Sequence, residues 1–177
     1  SLDATNEAEV EALMKKAKDT FGSVDILLHM VGFFFAGKLL WESDVALLEK
    51  LWQVNLKSAF LSSKHAVLNM MDKGEGRIVF FTAKDTIQPA GRFGLYSLSK
   101  CGLVTLAEAL RAELKETNIT ANTIMISVMD TPKTRHMPNP QPDKWVKPDE
   151  VADFLRCLCS DESAALSGSV LKLFGKL

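Results

Sequence analysis

The chain has 177 residues, of which 47% are apolar and 24% are charged, and its formal net charge is −1. This length and balance fit one domain, spanning 1–177, with a single core. The mixed charges lack the clustered basic face that nucleic acid requires. Because no apolar run approaches the ~18 residues of a membrane span and no signal-peptide pattern opens the chain, we expect a cytoplasmic protein with neither a membrane nor a nucleic acid as partner.

The first predicted elements are a helix and a strand. Asn6 followed three residues later by Glu9 forms the pattern of a capping box, and Gly22 is typical of a helix end. Between them, apolar residues recur on one helical face, at Val10, Leu13, Met14, Ala17 and Phe21. The largely apolar run 24–31 then has the length and composition of a strand that is covered on both faces in a parallel sheet.

Helical and strand patterns alternate through the rest of the chain. Helices are predicted at about 44–54, 56–73, 94–116 and, with Pro148 in the first turn, up to about 160. Strands are predicted at 77–82, 119–126 and 169–174. Because strands that alternate with helices form right-handed crossovers, we expect an α/β fold with a doubly wound, mostly parallel sheet.

One pair of residues has a spacing suited to proton transfer, at the carboxyl ends of the strands, where open parallel sheets bind ligands. Tyr96 is the single tyrosine of the chain, and Lys100 follows four residues later on the same predicted helix face. A free phenol has a pKa near ~10, and an adjacent ammonium lowers it by favouring the phenolate. The pair is a candidate general acid/base for carbonyl or imine chemistry. The alternative is a surface pair without a role.

The cysteines and histidines form no ligand pattern. Cys101, Cys157 and Cys159 make an odd count without a CxxC spacing. They have either a redox or metal role or, as we prefer, are free and mostly buried thiols in a reducing compartment. The three histidines are scattered. We therefore expect no metal site.

Several segments, in order along the chain, resemble the short-chain dehydrogenase/reductase family across essentially all 177 residues. They are Val24–Leu27 followed by Gly32, Asn55–Lys57, Gly76–Val79, Tyr96–Lys100, Asp130–Pro132, and Ser160–Ser163 with Gly168. The resemblance implies a Rossmann-type fold and hydride transfer between NAD or NADP and a small-molecule substrate with a carbonyl or a quinonoid/imine group. It also implies a homodimer or homotetramer that forms through the helices at 56–73 and 94–116.

The same resemblance implies roles for individual residues. Tyr96 would donate and accept the proton, Lys100 would lower its pKa and hold the nicotinamide ribose, and Asn55 would anchor a proton relay. The cofactor-binding residues would be Asp3 beside the adenine, Val31, Gly32 and Thr131, together with Tyr96 and Lys100.

The chain departs from the family pattern at three places. The family's serine, thirteen residues before the tyrosine, is replaced by Ala83. Its methyl group cannot hydrogen-bond a substrate carbonyl, and the loss of such a donor costs on the order of 10²-fold in rate. The adjacent Thr82 is a poor substitute because neighbouring strand residues face opposite ways. Ile126-Ser127 replaces a Pro-Gly pair, and His29-Met30-Val31-Gly32 replaces an Asn-Asn-Ala-Gly turn.

One branch of the family, that of dihydropteridine reductase, is similar in these departures. The likeness lies in Ala83-Lys84, in the loop Phe33–Gly37, and in Arg135–Pro138 followed by Trp145. It implies a planar, electron-poor ring as substrate. The three consecutive phenylalanines at 33–35 would either stack on such a ring or pack against the core or a dimer partner.

The family's opening strand, glycine-rich turn and helix have no counterpart. None of the ten glycines forms a Gly-x-Gly-x-x-Gly or Gly-x-x-x-Gly-x-Gly motif, and Leu2–Thr5 resembles the segment after the family's third strand. We therefore expect a fold that lacks the first three strands and two helices, with 24–31 as an edge strand. Either the chain is a piece of a longer protein or partner subunits cover that edge. We expect the chain alone to be inactive; the alternative function is a non-catalytic remnant that acts through association.

Overall fold

A computed structural model describes residues 2–177. Within that range it has a single sheet of four strands flanked by five α-helices, as the alternating sequence pattern predicts. The strands are β1 (Ile26–His29), β2 (Glu75–Ala83), β3 (Asn118–Ile126) and β4 (Val170–Leu173). The helices are α1 (Glu7–Phe21), α2 (Val45–Trp52), α3 (Ser58–Met70), α4 (Gly94–Glu113) and α5 (Pro148–Leu158).

All three strand pairings are parallel, and the strands lie in the order β1-β2-β3-β4. The register runs from Ile26 opposite Arg77 on the first pair and from Glu75 opposite Asn118 on the second. Because every strand points the same way, all four carboxyl ends meet at one edge of the sheet. The predicted α/β fold with a parallel sheet is thus confirmed.

The core consists of two hydrophobic clusters, one on each face of the sheet. Alternate residues of β2 point to opposite faces, so Ile78 and Phe80 join one cluster and Val79 and Phe81 join the other. The first cluster packs against α1, α3 and α4, and the second packs against α5. The sheet is therefore covered by helices on both sides, which accounts for the continuous apolar run of β2.

The caps of α1 agree with the sequence except in one detail. The Asn6 side chain accepts hydrogen bonds from the backbone N–H groups of Ala8 and Glu9, and Gly22 ends the helix with a left-handed φ of 87°. The Glu9 carboxylate accepts from the backbone N–H of Asp3 at 2.9 Å. The predicted capping box is wrong in its second half, because Glu9 bonds to the loop before the helix.

The predicted break between the helices at 44–54 and 56–73 is wrong. The chain stays helical from Val45 to Met70, and α2 and α3 are joined by a π turn, Gln53–Lys57. In this turn the N–H of Ser58 donates to the carbonyl of Gln53, five residues earlier. The extra residue shifts the apolar stripe, and that shift gives the sequence the pattern of two separate helices.

Within the described residues 2–177, strand β1 lies at one edge of the sheet. It is shorter than the predicted run 24–31, and Ile26 and Leu28 are 48% and 40% exposed. The expectation of an edge strand is confirmed, whereas full cover on both faces is wrong for this part of the chain. None of the described helices is long and apolar enough to span a membrane.

Candidate functional site

The candidate site lies where β1 and β2 end and α4 begins. The segment after β1 contains Gly32 and Phe33, and α4 carries Tyr96 in its first turn and Lys100 one turn later. The π turn before α3 brings Asn55 to the same place. The end of β1, the π turn, the end of β2 and the start of α4 come from separate parts of the sequence. They meet here because the parallel strands end on the same side of the sheet.

Asn55 is fully buried and joins two of these elements. Its Oδ1 accepts from the backbone N–H of Phe33 at 2.6 Å, and its Nδ2 donates to the carbonyl of Phe33 at 3.0 Å. Nδ2 also donates to Oγ of Ser99 at 2.8 Å. The amide therefore ties the segment after β1 to the first turns of α4.

Ser99 extends this network to the tyrosine. Its Oγ donates to the carbonyl of Tyr96 at 2.8 Å while it accepts from Asn55. Ser99 itself is buried. Ser99 was not among the predicted site residues, although its position one residue before Lys100 is visible in the sequence.

Lys100 is buried and close to Asn55 and Gly32. Its Nζ donates to the carbonyl of Phe81 at 3.1 Å, and burial lowers the pKa of Lys100 to about 8. A Cβ added to Gly32 would lie 2.8 Å from Nζ of Lys100 and 3.3 Å from Oδ1 of Asn55. Glycine at position 32 thus leaves the space that Nζ of Lys100 occupies.

Tyr96 is partly buried and contacts the ring of Phe34. The ring of Phe34 stands edge-on to it with centroids 5.1 Å apart, and Phe34 also contacts Phe93 at 5.7 Å. Burial, with a contribution from the negative charge of Asp85, raises the pKa of Tyr96 to about 12. The prediction that Lys100 lowers this pKa is wrong for the arrangement seen here, because the loss of hydration on burial and the charge of Asp85 move the pKa the other way.

His29 is a further buried residue of the site and was not among the predicted site residues. Burial, together with the positive charge of Lys100, lowers the pKa of His29 to about 4, so the ring is neutral at pH 7. Its Nε2 lies 3.2 Å from Oγ of Ser58, which donates to the carbonyl of Val54 at 2.5 Å. The imidazole therefore anchors the end of β1 against the π turn. Its place in the altered Asn-Asn-Ala-Gly turn was the signal.

As predicted from the sequence, the end of β2 offers no free hydroxyl group to a substrate. Ala83 is its last residue and offers no hydrogen-bonding side chain. Thr82 Oγ1 donates to the carbonyl of Lys100 at 3.0 Å, so that hydroxyl is used within the fold. Ser127, which stands where the family has glycine, donates from Oγ to the carbonyl of Phe174 at 2.9 Å.

The remaining predicted cofactor residues lie apart from the Asn55–Lys100 network. Asp3 is exposed and accepts from the N–H and Oγ1 of Thr5, each at 2.8 Å. These hydrogen bonds, the backbone one first, lower the pKa of Asp3. Val31 is exposed beside Gly32. Thr131 closes a turn with Thr134, its Oγ1 lying 3.0 Å from Oγ1 of that residue. No hydrogen bond joins Asp3 or Thr131 to Asn55 or Lys100 within residues 2–177.

The loop after β3 has its own ion pair and cavity. Arg135 donates to both carboxylate oxygens of Asp130, at 2.6 and 2.8 Å, and lowers the pKa of Asp130. This pair lines a shallow cavity of about 420 Å³ that also includes Asp143 and Lys147. Tyr96 and Lys100 are not part of the cavity lining, so the cavity is separate from the acid/base pair.

The cysteines are free thiols, but their burial differs from the expectation. Cys101 and Cys157 are exposed, and only Cys159 is partly buried. Burial raises the pKa of the Cys159 thiol. Across residues 2–177, no group of three or more His, Cys, Asp or Glu side chains is arranged to hold a metal ion.

The chain is similar to a family model and to several known dehydrogenases. A family model described as enoyl-(acyl carrier protein) reductase matches residues 1–173. The chain is 33% identical to subunit BbsD of (2S)-[(R)-hydroxy(phenyl)methyl]succinyl-CoA dehydrogenase from Thauera aromatica, over 98% of this chain and 73% of that protein. It is 29% identical to cis-4-hydroxycyclohexanecarboxylate dehydrogenase from Sinomonas cyclohexanicum, with the same two coverages.

Solved structures show the same fold. ElxO with NADP bound superposes with a TM-score of 0.91 at 22% identity, over 98% of this chain and 75% of that chain. A short-chain dehydrogenase/reductase double mutant from Serratia marcescens superposes with a TM-score of 0.88 at 26% identity, over 99% of this chain and 74% of that chain.

Proposed function

The chain belongs to the short-chain dehydrogenase/reductase family, and from that premise we propose that it carries the acid/base and nicotinamide-binding part of an NAD(P)-dependent oxidoreductase. The reaction would be hydride transfer to a carbonyl or a quinonoid/imine substrate. The observation that carries the proposal is the network in which Asn55, Ser99 and Gly32 hold Tyr96 and Lys100 at the carboxyl edge of the sheet.

The role proposed for Tyr96 is that of proton donor in the direction of reduction. With a pKa of about 12, the phenol is protonated at neutral pH, which is the form a donor needs. The positive charge of an oxidised nicotinamide beside it would favour the phenolate in the opposite direction.

The residues around Lys100 fit the nicotinamide end of the cofactor. Lys100 uses one donor on the carbonyl of Phe81, which leaves donors for ribose hydroxyls. Gly32 keeps the space beside Nζ free of a side chain. A bound NAD(P)H would supply the hydride, and Lys100 and Asn55 would orient it.

Affinity for the whole cofactor is proposed to be low in this chain alone. The ten glycines contain no phosphate-binding motif, and Asp3 and Thr131 have no hydrogen bond to the network around Lys100. We expect NADH to bind no tighter than roughly millimolar, since backbone N–H groups at such a loop supply much of the phosphate affinity. A fluorescence titration that gives a micromolar Kd would contradict this.

The substrate is proposed to contain a ring. Two relatives are named for substrates with a phenyl or a cyclohexane ring. In this chain Phe34, which is 54% exposed, lies edge-on to Tyr96 and also contacts Phe93, so it offers an apolar surface to a ring. Ala83 in place of a serine favours a substrate that accepts hydride without a hydroxyl donor, as a quinonoid dihydropterin or a similar electron-poor ring does.

The test is Tyr96→Phe assayed at millimolar concentrations of deuterated NADPH, with 4-oxocyclohexanecarboxylate and 2,3-dimethoxy-1,4-naphthoquinone as the two probes, since both need a proton on oxygen when they accept hydride. Transfer of deuterium to product detects slow turnover. At micromolar cofactor we expect no turnover, in line with a chain that is inactive alone. At millimolar cofactor we expect at least one probe to be reduced slowly, and its turnover to fall by roughly 10²-fold or more in the variant. Unchanged turnover of both probes in the variant would contradict the role of Tyr96.

The second candidate function is association without catalysis. It is favoured by a shallow apolar groove of about 410 Å³ between the π turn, α3 and α4, lined by Trp52, Leu56, Phe60 and Leu106 among others. We propose a second copy of the chain as the occupant, which gives a homodimer or homotetramer. Sedimentation of wild type and Phe60→Asp tests this, and an oligomer that shows no turnover in the assay above would support association as the sole function.

A further inference from the structure

A side-chain hydroxyl replaces a backbone donor inside the π turn. In a regular α-helix the N–H of Ser58 would donate to the carbonyl of Val54, four residues earlier. Here that N–H donates to the carbonyl of Gln53, and the Ser58 hydroxyl donates to the carbonyl of Val54 at 2.5 Å. Ser58 is completely buried. The hydroxyl thus supplies the hydrogen bond that the backbone of a π turn does not make.

The hydrogen bonds of this hydroxyl determine where His29 carries a proton. A carbonyl can only accept, so the single hydrogen of the Ser58 hydroxyl is committed to Val54. The contact of 3.2 Å between Nε2 of His29 and Oγ of Ser58 is a hydrogen bond only if the hydrogen is on Nε2. The imidazole is therefore the donor and the hydroxyl is its acceptor.

Packing against the sheet holds the imidazole in place. His29 is the last residue of β1 and is 3% exposed. It lies opposite Phe80 in the register of β1 and β2, and the two rings meet edge-on with centroids 6.3 Å apart. Phe80 is fully buried in the first hydrophobic cluster. The donor nitrogen of His29 therefore has a fixed position relative to the sheet.

The carbonyl that the hydroxyl binds belongs to the peptide group that joins Val54 to Asn55. A peptide group is planar, so the direction of the Val54 carbonyl also sets the direction of the N–H of Asn55. The Asn55 side chain projects from this part of the backbone and bonds to Phe33 and Ser99. A change in the direction of that carbonyl would turn the amide away from both partners.

We propose that His29 is a positioning residue: its Nε2–H group holds Ser58 in the π turn and thereby directs Asn55 into the candidate site. The role is exerted through Asn55 and requires no contact with a substrate or a cofactor. Its value for catalysis rests on the proposed function, in which Asn55 orients the cofactor. The run of hydrogen bonds from β1 to the π turn does not depend on that function.

Hydrogen exchange of two side-chain amides in one sample tests the inference. The variants are His29→Leu, which removes the donor, and His29→Gln, which keeps an N–H group the same number of bonds from the backbone. We expect exchange of the Asn55 amide about ten-fold faster in His29→Leu, as for the loss of one hydrogen bond, and slower again in His29→Gln. The buried amide of Asn122, which donates to the carbonyl of Leu166 at 2.7 Å, is the internal reference and should not change.

The matched control variant is His65→Leu, which removes a buried histidine of α3 whose Nε2 has no hydrogen bond within residues 2–177. It should leave exchange of the Asn55 amide unchanged. Equal acceleration of the Asn55 and Asn122 amides in His29→Leu would overturn the inference, because it would report a general loss of stability. Unchanged exchange of Asn55 in that variant, or exchange in His29→Gln as fast as in His29→Leu, would overturn it as well.

A second measurement uses the wild-type chain and does not depend on how a variant folds. The ¹⁵N resonances of the ring nitrogens report which of them carries a proton, and comparison with His29→Gln assigns those of His29. We expect a proton on Nε2, and a bare Nε2 would overturn the inference. Neither measurement needs a cofactor, so unchanged turnover in Tyr96→Phe would contradict the proposed function alone.

Discussion

Asn55 and the backbone of Phe33 are joined by two hydrogen bonds that run in opposite directions. Oδ1 of the amide accepts at 2.6 Å and Nδ2 donates at 3.0 Å, so the side chain pairs with the segment after β1 as a neighbouring strand would. The third bond, to Ser99, continues to α4. This arrangement sets the position of Gly32, which lies between β1 and Phe33 and beside Lys100.

We predict that Asn55→Ala lowers the free energy of unfolding by about 2–4 kcal/mol, because it leaves the N–H and carbonyl of Phe33 and the Ser99 hydroxyl without their partner. Urea unfolding measures the change. The control is Asn69→Ala, which removes one hydrogen bond to the carbonyl of His65 within α3 and should cost about 1 kcal/mol. Equal losses in the two variants would show that the Asn55 network adds no special stability.

Gly32→Ala is predicted to displace the Lys100 amine while the fold is kept. The new Cβ would lie 2.8 Å from Nζ, which is the flexible end of a side chain, so the amine can move aside. We expect the free energy of unfolding to change by less than about 1 kcal/mol and cofactor binding to weaken, as measured by NADPH titration at millimolar concentrations. Gly91→Ala is the control, since a Cβ there meets no atom within 4 Å. Wild-type cofactor affinity in Gly32→Ala would argue against Lys100 as a cofactor ligand.

The ionisation of Tyr96 is open to direct measurement. Because the chain has one tyrosine, the ultraviolet phenolate band reports this residue alone, and we expect its pKa near 12. Asp85→Asn should lower that pKa, since the carboxylate charge contributes to the shift and burial remains. Tyr96→Phe removes the band and serves as the control. A wild-type midpoint at or below the ordinary value of 10.0 would show that the phenol is more hydrated than the structure indicates.

Lys100 should make stability increase with pH in a defined window. Its pKa falls from 10.5 to about 8 on burial, so between these values the unfolded chain holds a proton that the folded chain has released. The free energy of unfolding therefore rises from pH 8 towards 10.5, by up to about 3 kcal/mol, and this rise is absent below pH 8. Tyr96 acts with the opposite sign, but only between pH 10 and 12, where the folded chain keeps the phenol proton longer.

Urea unfolding of wild type and Lys100→Met between pH 7 and 10 checks this prediction. The variant should lack the rise because it has no group that titrates at this position. Parallel pH profiles in the two proteins would mean that the amine is not dehydrated in the folded state.

Periodicity was sufficient for the order and type of the main elements. The apolar run of β2 and the helical stripe of α4, with Leu103 and Ala107 buried, each pack in one direction that is visible in the sequence. The prediction of a helix break at 55 was wrong because a π turn rotates the apolar face of the helix without ending the helix. Sequence periodicity cannot separate these two cases when the turn spans only Gln53–Lys57.

The candidate site was only partly predictable, for a different reason. Tyr96 and Lys100 are neighbours on one helix, and their spacing is visible in the sequence. The contacts of His29 with Ser58 and the effect of Asp85 on Tyr96 join distant segments, so they depend on how the strands align. The direction of the Tyr96 pKa shift was predicted wrongly for the same reason. The burial that raises this pKa depends on tertiary packing, including the contact of Tyr96 with the ring of Phe34.

The π turn also lets α3 pack on the sheet while Asn55 points to the site, which one regular helix could not do. A single inserted residue rotates everything beyond it by about 100° around the helix axis, so α3 can pack its buried residues on the sheet while Asn55 points to the edge where the strands end. Deletion of one residue in the turn would restore regular geometry but would carry the amide away from Phe33. The π turn therefore sets the rotation of α3 relative to Asn55. Deletion of a residue from the turn should lower the stability of the fold far more than substitution of its exposed side chains.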